Sequence, residues 1–187
     1  MKTARRIQQA TLHLAAASGY AGLTVDMIAE EAGISRRTFF NHYRNKQEAL
    51  AGPQIHDFSQ NHDWFVNSAG PLLPDLKRLI RETLSNASPE RSTVHNIGLV
   101  LQDTPELQPV FSALIDNVAC EYQSLLVRRL GEEQGVMCQL LARVVAHSIA
   151  LSFREWAQGS DSTLNAIADM ACEKLSAVAA AFGAPEA

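Results

Sequence analysis

Between residues 35 and 42 the chain sets out Ser35, Arg36, Arg37, Thr38, Phe40, Asn41 and His42, a run dense in hydrogen-bond donors suited to a polyanion. An arginine guanidinium is a planar fork of donors that matches O6 and N7 of guanine, so Arg36 and Arg37 are the candidates for reading base edges. Asn41 carries the amide that pairs with adenine in the same way. Thr38 and His42 share another edge of the segment and suit phosphate oxygens. Lys46 does too, at the start of the next helix, where free backbone N–H groups also favour an anion. An arbitrary Arg-Arg pair on a short helix is most often a solvated face. Its surroundings decide otherwise here.

Other chemistry is hard to assemble from this sequence. The six histidines, His13, His42, His56, His62, His95 and His147, show no HxxxH spacing that would put two on one helical face, so no metal site is expected. Cys120, Cys138 and Cys172 are an odd number without a CxxC pair, and they read as small buried apolar residues. There is no G-x-S-x-G elbow, dinucleotide loop or P-loop, so no catalytic residues and no cofactor are expected, and an enzyme is not the reading.

The net charge of −4 argues against a DNA binder until its distribution is read. Residues 1 to 50 hold seven bases (Lys2, Arg5, Arg6, Arg36, Arg37, Arg44, Lys46) and four acids (Asp26, Glu30, Glu31, Glu48), a net of +3. The remaining nine bases and sixteen acids give −7, so a basic head precedes an acidic body.

The donor-rich run must be positioned by helices. Apolar spacings of three and four dominate, with no period-2 run bounded by hairpin turns, which predicts an all-α chain of about nine helices. The first runs from about Thr3 to Ser18 with Ile7, Ala10, Thr11 and Leu14 on one face. Thr24 caps a second with the stripe Val25, Ile28, Ala29, Ala32, and Gly33 supplies the turn. Ser35 caps a third, on which Phe39 and Tyr43 lie at i and i+4 and face inward. Two helices of about eight residues joined by a tight Gly turn make the helix-turn-helix geometry that seats the second in the major groove. Asn45 then opens a fourth helix with Glu48 in a capping-box position.

Beyond residue 50 helices lengthen, with breaks at Gly70-Pro71 and Pro74, Ser88-Pro89, Thr104-Pro105, Gly131 to Gly135 and Gly159 to Ser162. Thr104 as N-cap with Pro105 at the first position begins a long helix striped by Leu107, Val110, Phe111, Leu114, Val118, Tyr122 and Leu125. The last two helices mix large apolar residues with Ala and Ser. Leu141, Val145, Ser148, Ser152 and Trp156, with Leu164, Ala171, Leu175 and Val178, form either half of a four-helix interface with a second copy or an ordinary core within the chain. The start MKTARRIQQA lacks an apolar signal region and no stretch of 18 apolar residues occurs, so a soluble cytoplasmic protein with no membrane partner is expected.

The N-terminal pattern Ile7, Ala10, Leu14, Gly19-Tyr20, Gly22, Thr24-Val25, Ile28-Ala29, Ala32-Gly33, Ser35, Thr38-Phe39, Tyr43, Lys46 and Leu50 resembles that of the TetR family of bacterial transcription regulators. The resemblance implies a DNA-binding domain over 1–46 and an effector-binding and dimerisation domain over 47–187, joined by a long fourth helix starting near residue 46. It implies that Thr24, Ser35, Arg36, Arg37, Thr38, His42 and Lys46 touch DNA. At Phe40 the family often has a tyrosine whose hydroxyl bonds phosphate, so packing alone replaces that contact. The run Leu101 to Phe111, with Ser35 to Phe40, resembles the subgroup with an acyl-CoA-like ligand-binding domain. That likeness implies a lipophilic effector, with Phe65, Leu99, Phe111, Ile115, Tyr122 and His147 as lining candidates. The few basic residues of the body, among them Arg128, Arg129, Arg143 and Arg154, argue against a full CoA. The expected function is a homodimeric repressor released from a near-palindromic operator when a small effector binds. The rival is a helical module whose head makes protein contacts.

Overall fold

A computed structural model describes residues 2–53, 58, 61–84, 90–159 and 165–183. The described chain is all-α: ten α-helices and two short 3-10 turns, with no strand among the described residues. It divides into two compact units, the first formed by residues 1–54 with 89–113 and the second by 55–88 with 114–187. Leu164 and the Ser88-Pro89 break lie outside the described residues.

In the first unit α1 (Lys2–Ser18) packs against α2 (Val25–Glu31), α4 (Lys46–Ala51) and α7 (Arg91–Asp103), while α2 packs on α3 (Arg36–His42). Ile7, Leu12, Ile28, Phe39, Leu50 and Leu107 are the largest side chains wholly buried in its core, joined there by Tyr20, Leu23, Tyr43 and Val100. The three N-caps act as their residue types dictate: an oxygen on a short side chain accepts from the third amide of the helix. Thr24 Oγ1 accepts from Met27 N at 3.3 Å, Ser35 Oγ from Thr38 N at 3.0 Å and Asn45 Oδ1 from Glu48 N at 2.8 Å. Glu48 reaches back to accept from Arg44 N at 2.9 Å.

The fourth helix starts at Lys46 but is six residues long, not the extended connector that the family likeness implies. Gly52 ends it with φ +81° and ψ −169°, a backbone conformation open essentially to glycine alone, and Pro53 follows. Beside that turn the buried Gln8 donates from Nε2 to the carbonyls of Leu50 (3.2 Å) and Ala51 (3.0 Å), satisfying the helix end.

In the second unit α10 (Asn165–Gly183) packs against α9 (Gly135–Gln158) and α6 (Leu72–Leu84), and the short α5 (Asp63–Val66) lies on α6. Proline at residue 105 starts a 3-10 turn, Pro105–Leu107, before α8 (Gln108–Leu130) begins; Thr104 makes no side-chain cap there. The span Glu132–Gln158 is apolar and long enough, by length and composition, to cross a bilayer. It packs as a core helix, with Cys138, Ala142, Val145, Ile149 and Trp156 buried. Arg129 ties this unit together: its guanidinium is 2.8 Å from Asp75 Oδ2, donates to the carbonyls of Phe65 (3.2 Å) and Gly70 (2.8 Å), and lies 4.8 Å from the Phe65 ring. Tyr122 is wholly buried, with its hydroxyl 2.7 Å from Thr83 Oγ1 and its ring edge-on to Phe58.

Candidate nucleic-acid interface

Residues 32 to 35 make the turn between α2 and α3. Ile34 N bonds Ala29 O and Gly33 N bonds Glu30 O, both at 2.9 Å, and Gly33 takes φ +60°, where a β-carbon would be strained. The turn fixes α3 so that Phe39 is wholly buried and Tyr43 nearly so, their rings 6.2 Å apart. The Tyr43 hydroxyl donates to Ala4 O at 3.2 Å, and burial pushes its pKa up to about 12. With that face committed to the core, Arg36, Arg37, Phe40, Asn41 and His42 are exposed and Thr38 half-buried. The period of the helix therefore sorts α3 as its sequence predicts.

The exposed residues differ in what already occupies them. Arg37, Asn41 and His42 have no side-chain partner among the described residues. Ser35 Oγ is 2.8 Å from Thr38 Oγ1, so the cap and the first turn share a hydroxyl pair. Arg36 donates from Nη1 to both carboxylate oxygens of Asp26 at 3.0 Å and sits 5.7 Å from the Phe40 ring centroid. Phe40 is 47 % exposed and edge-on to Phe39, so it serves as a platform for Arg36 rather than a core residue. Thr24 is exposed at the start of α2.

Lys46 is placed differently from its neighbours. Its ammonium donates to the carbonyls of Tyr20 (3.1 Å), Ala21 (3.3 Å) and Leu23 (2.8 Å) and stands 4.5 Å from the Tyr20 ring centroid. An ammonium has three donors, and all three are engaged here. The buried Tyr20 ring forms the floor of this site, and its hydroxyl is pushed up to about 12 by burial and by Glu106. Sequence reasoning gave neither Tyr20 nor Asp26 a place in the site. The signal for Asp26 is a carboxylate in the first turn of the helix preceding an Arg-Arg pair.

Residues 7–51 match the family described as bacterial regulatory proteins, tetR family. The chain carries a TetR-family DNA-binding domain. That match supports a DNA-binding regulator, and it spans α2 and α3 with the exposed residues of α3. No curated protein matches the chain. Among solved structures it is similar to Thermus thermophilus FadR, a TetR family transcriptional repressor, in complex with lauroyl-CoA. The identity is 22 %, the coverage 98 % of this chain and 96 % of that one, and the TM-score 0.39.

The effector candidates are divided between the two units. Leu99 (exposed) and Phe111 (half-buried) belong to the first, whereas Phe65, Ile115, Tyr122 and His147 belong to the second. There Phe65 and Tyr122 are wholly buried, Ile115 is half-buried, and His147 is exposed with Nδ1 3.0 Å from Arg143 O. Of the residues expected at a dimer interface, Val145, Ser148, Ser152, Trp156, Ala171 and Leu175 are buried inside the single chain and Leu141 is half-buried. Ser148 and Ser152 spend their hydroxyls on carbonyls four residues earlier, which lets α10 approach α9 closely. The outward face of α9 carries Val136, Met137, Leu140 and Leu151, and Val178 of α10 is exposed as well. Cys138 and Cys172 are buried, and burial pushes both thiols up, away from the reactive thiolate; Cys120 is exposed.

Proposed function

We propose that this protein is a transcriptional repressor that binds a near-palindromic operator as a homodimer and leaves it when a small lipophilic effector occupies the C-terminal body. The observation that carries the DNA reading is the division of α3. Phe39 and Tyr43 hold the helix from one side, while Arg37, Asn41 and His42 on the other have donors with no protein partner among the described residues. In this reading Arg37 and Arg36 read guanine, Asn41 reads adenine, and Thr24, Ser35, Thr38 and His42 bond phosphates. Lys46 acts through the turn it fastens, and Phe40 supports Arg36.

Two recognition helices about 34 to 36 Å apart reach half-sites one helical turn apart, so the dimer is part of the mechanism. The exposed apolar side of α9, Val136, Met137, Leu140 and Leu151, favours a second copy as its cover, since water-exposed apolar stripes of this length are rare on monomers. An effector that prefers the DNA-incompetent dimer by about 1 to 3 kcal/mol lowers operator affinity some 5- to 150-fold. A lipophilic effector is supported by the likeness of Leu101 to Phe111 to the acyl-CoA-like subgroup and by the apolar character of Phe65, Leu99, Phe111, Ile115 and Tyr122, with His147 as a polar neighbour.

Enrichment of duplexes from a random pool, followed by salt titration, tests this function. The protein should enrich a two-fold symmetric site, and Arg37→Ala should lower affinity for that site by about 1–3 kcal/mol while changing binding to unselected DNA little. Equal losses on both would remove Arg37 from base reading. No salt-sensitive binding to any duplex would leave the head as a protein-contact module.

A further inference from the structure

Two adjacent arginines at the start of α3 stand in unlike electrostatic settings. Arg37 has no partner among the described residues, whereas Arg36 is paired across the turn with Asp26, the second residue of α2. Only Nη1 of Arg36 takes part, donating to both Oδ1 and Oδ2 at 3.0 Å. Its Nε and Nη2 form no bond among the described residues, and together they make one complete edge of the guanidinium, a two-donor fork. The Phe40 ring, 5.7 Å away and itself braced edge-on against buried Phe39, supports the same group. The side chain is thus held at one end by a carboxylate and below by an aromatic face, with its free fork left for a third partner.

We propose that Asp26 is a positioning residue for sequence discrimination. It orients the Arg36 fork and cancels its charge towards phosphate, so that Arg36 adds base selectivity without adding non-specific attraction. The inference rests on the DNA-binding reading above. The pair is exposed on both sides, with 64 % and 67 % of the side chains open to solvent, so removing it costs the fold little and its effect is read on DNA.

The test compares the wild type with Asp26→Asn, Asp26→Glu, Arg36→Ala and the Asp26→Asn/Arg36→Ala double variant. Each is measured on the duplex that the wild type enriches from a random pool and on the unselected pool, at 50 and 200 mM salt. Asp26→Asn uncovers one cation. It should steepen the slope of log affinity against log salt by about 0.9, which is about a threefold tighter hold on the unselected pool at the lower salt relative to the higher. The ratio of selected to unselected affinity should fall by about fivefold or more. Asp26→Glu should restore the wild-type ratio, and in the Arg36→Ala background the asparagine should have no further effect.

A wild-type ratio in Asp26→Asn, or the same loss whether or not Arg36 is present, overturns the proposal while leaving DNA binding intact. A wild type that binds no duplex in a salt-sensitive manner overturns the DNA-binding reading and this inference with it.

Discussion

The ammonium of Lys46 lies 2.8 Å from the carbonyl oxygen of Leu23, and with the carbonyls of Tyr20 and Ala21 it gathers the turn between α1 and α2 onto the start of α4. That turn delivers Thr24, the cap of α2, so a residue outside the helix-turn-helix sets where the motif begins. Lys46→Met keeps the alkyl stem and leaves three carbonyls to water. It should cost about 1 kcal/mol, read as a melting midpoint lower by about 2–4 °C. The salt slope of DNA binding should stay that of the wild type, because the lost charge faced carbonyls. A slope flatter by about 0.9 would return Lys46 to the phosphates.

Gly52→Ala should be among the more damaging single changes in the head. The alanine meets a conformation of order 1–3 kcal/mol above its preferred ones, and its β-carbon falls on the Gln8 side-chain amide that caps α4. Urea unfolding should show a lower midpoint with an unchanged slope. An unchanged midpoint would mean that the turn is free to reshape.

Ser68 Oγ donates to Asp75 at 2.7 Å and the Arg129 guanidinium lies 2.8 Å from it, and these two contacts, the hydroxyl first, hold the Asp75 carboxyl below the ordinary aspartate range. Folding therefore lowers its pKa from an unfolded value of about 3.9. The contribution is complete above that value and lost as pH falls through the lower folded one. Stability measured from pH 7 down to 3 should fall at the acid end, and Asp75→Asn should be less stable at neutral pH and lose less on acidification. Parallel pH profiles would show that the carboxyl is not coupled to folding.

Leu140→Glu puts a charge on the outward face of α9 at a side chain that is 61 % exposed in the single chain. The fold should persist by circular dichroism while sedimentation shows monomers at micromolar concentration, and specific DNA binding should weaken with the dimer. A variant that remains dimeric would move the interface elsewhere.

The helix-turn-helix was legible because each of its boundaries is fixed by a local rule. Thr24, Ser35 and Asn45 act within three residues of themselves, and the inward pair Phe39 and Tyr43 follows from helical period alone. The side of α9 that turns outward was not legible. Val145, Ile149 and Trp156 on one face and Val136, Leu140 and Leu151 on the other are equally apolar, so period cannot choose between them. The small residues Ser148, Ser152 and Ala171 lie where α10 of the same chain approaches α9. The length of α4 was missed for a similar reason: it ends on the backbone angles of Gly52, and a glycine in sequence permits such angles without requiring them. The partner of Arg36 depends on how α2 and α3 cross, which no spacing encodes.

The core of the first unit takes Val100 and Leu107 from a segment separated from residues 1–54 by the whole of 55–88. A chain emerging from the ribosome therefore exposes α1 to α4 well before the surface that completes their core. Bringing together segments so far apart in sequence carries an entropic cost that purely local packing does not. The first unit is thus finished late in synthesis although its helix-turn-helix precedes the segment that completes it, and a fragment cut after residue 54 would lack the walls that Val100 and Leu107 supply.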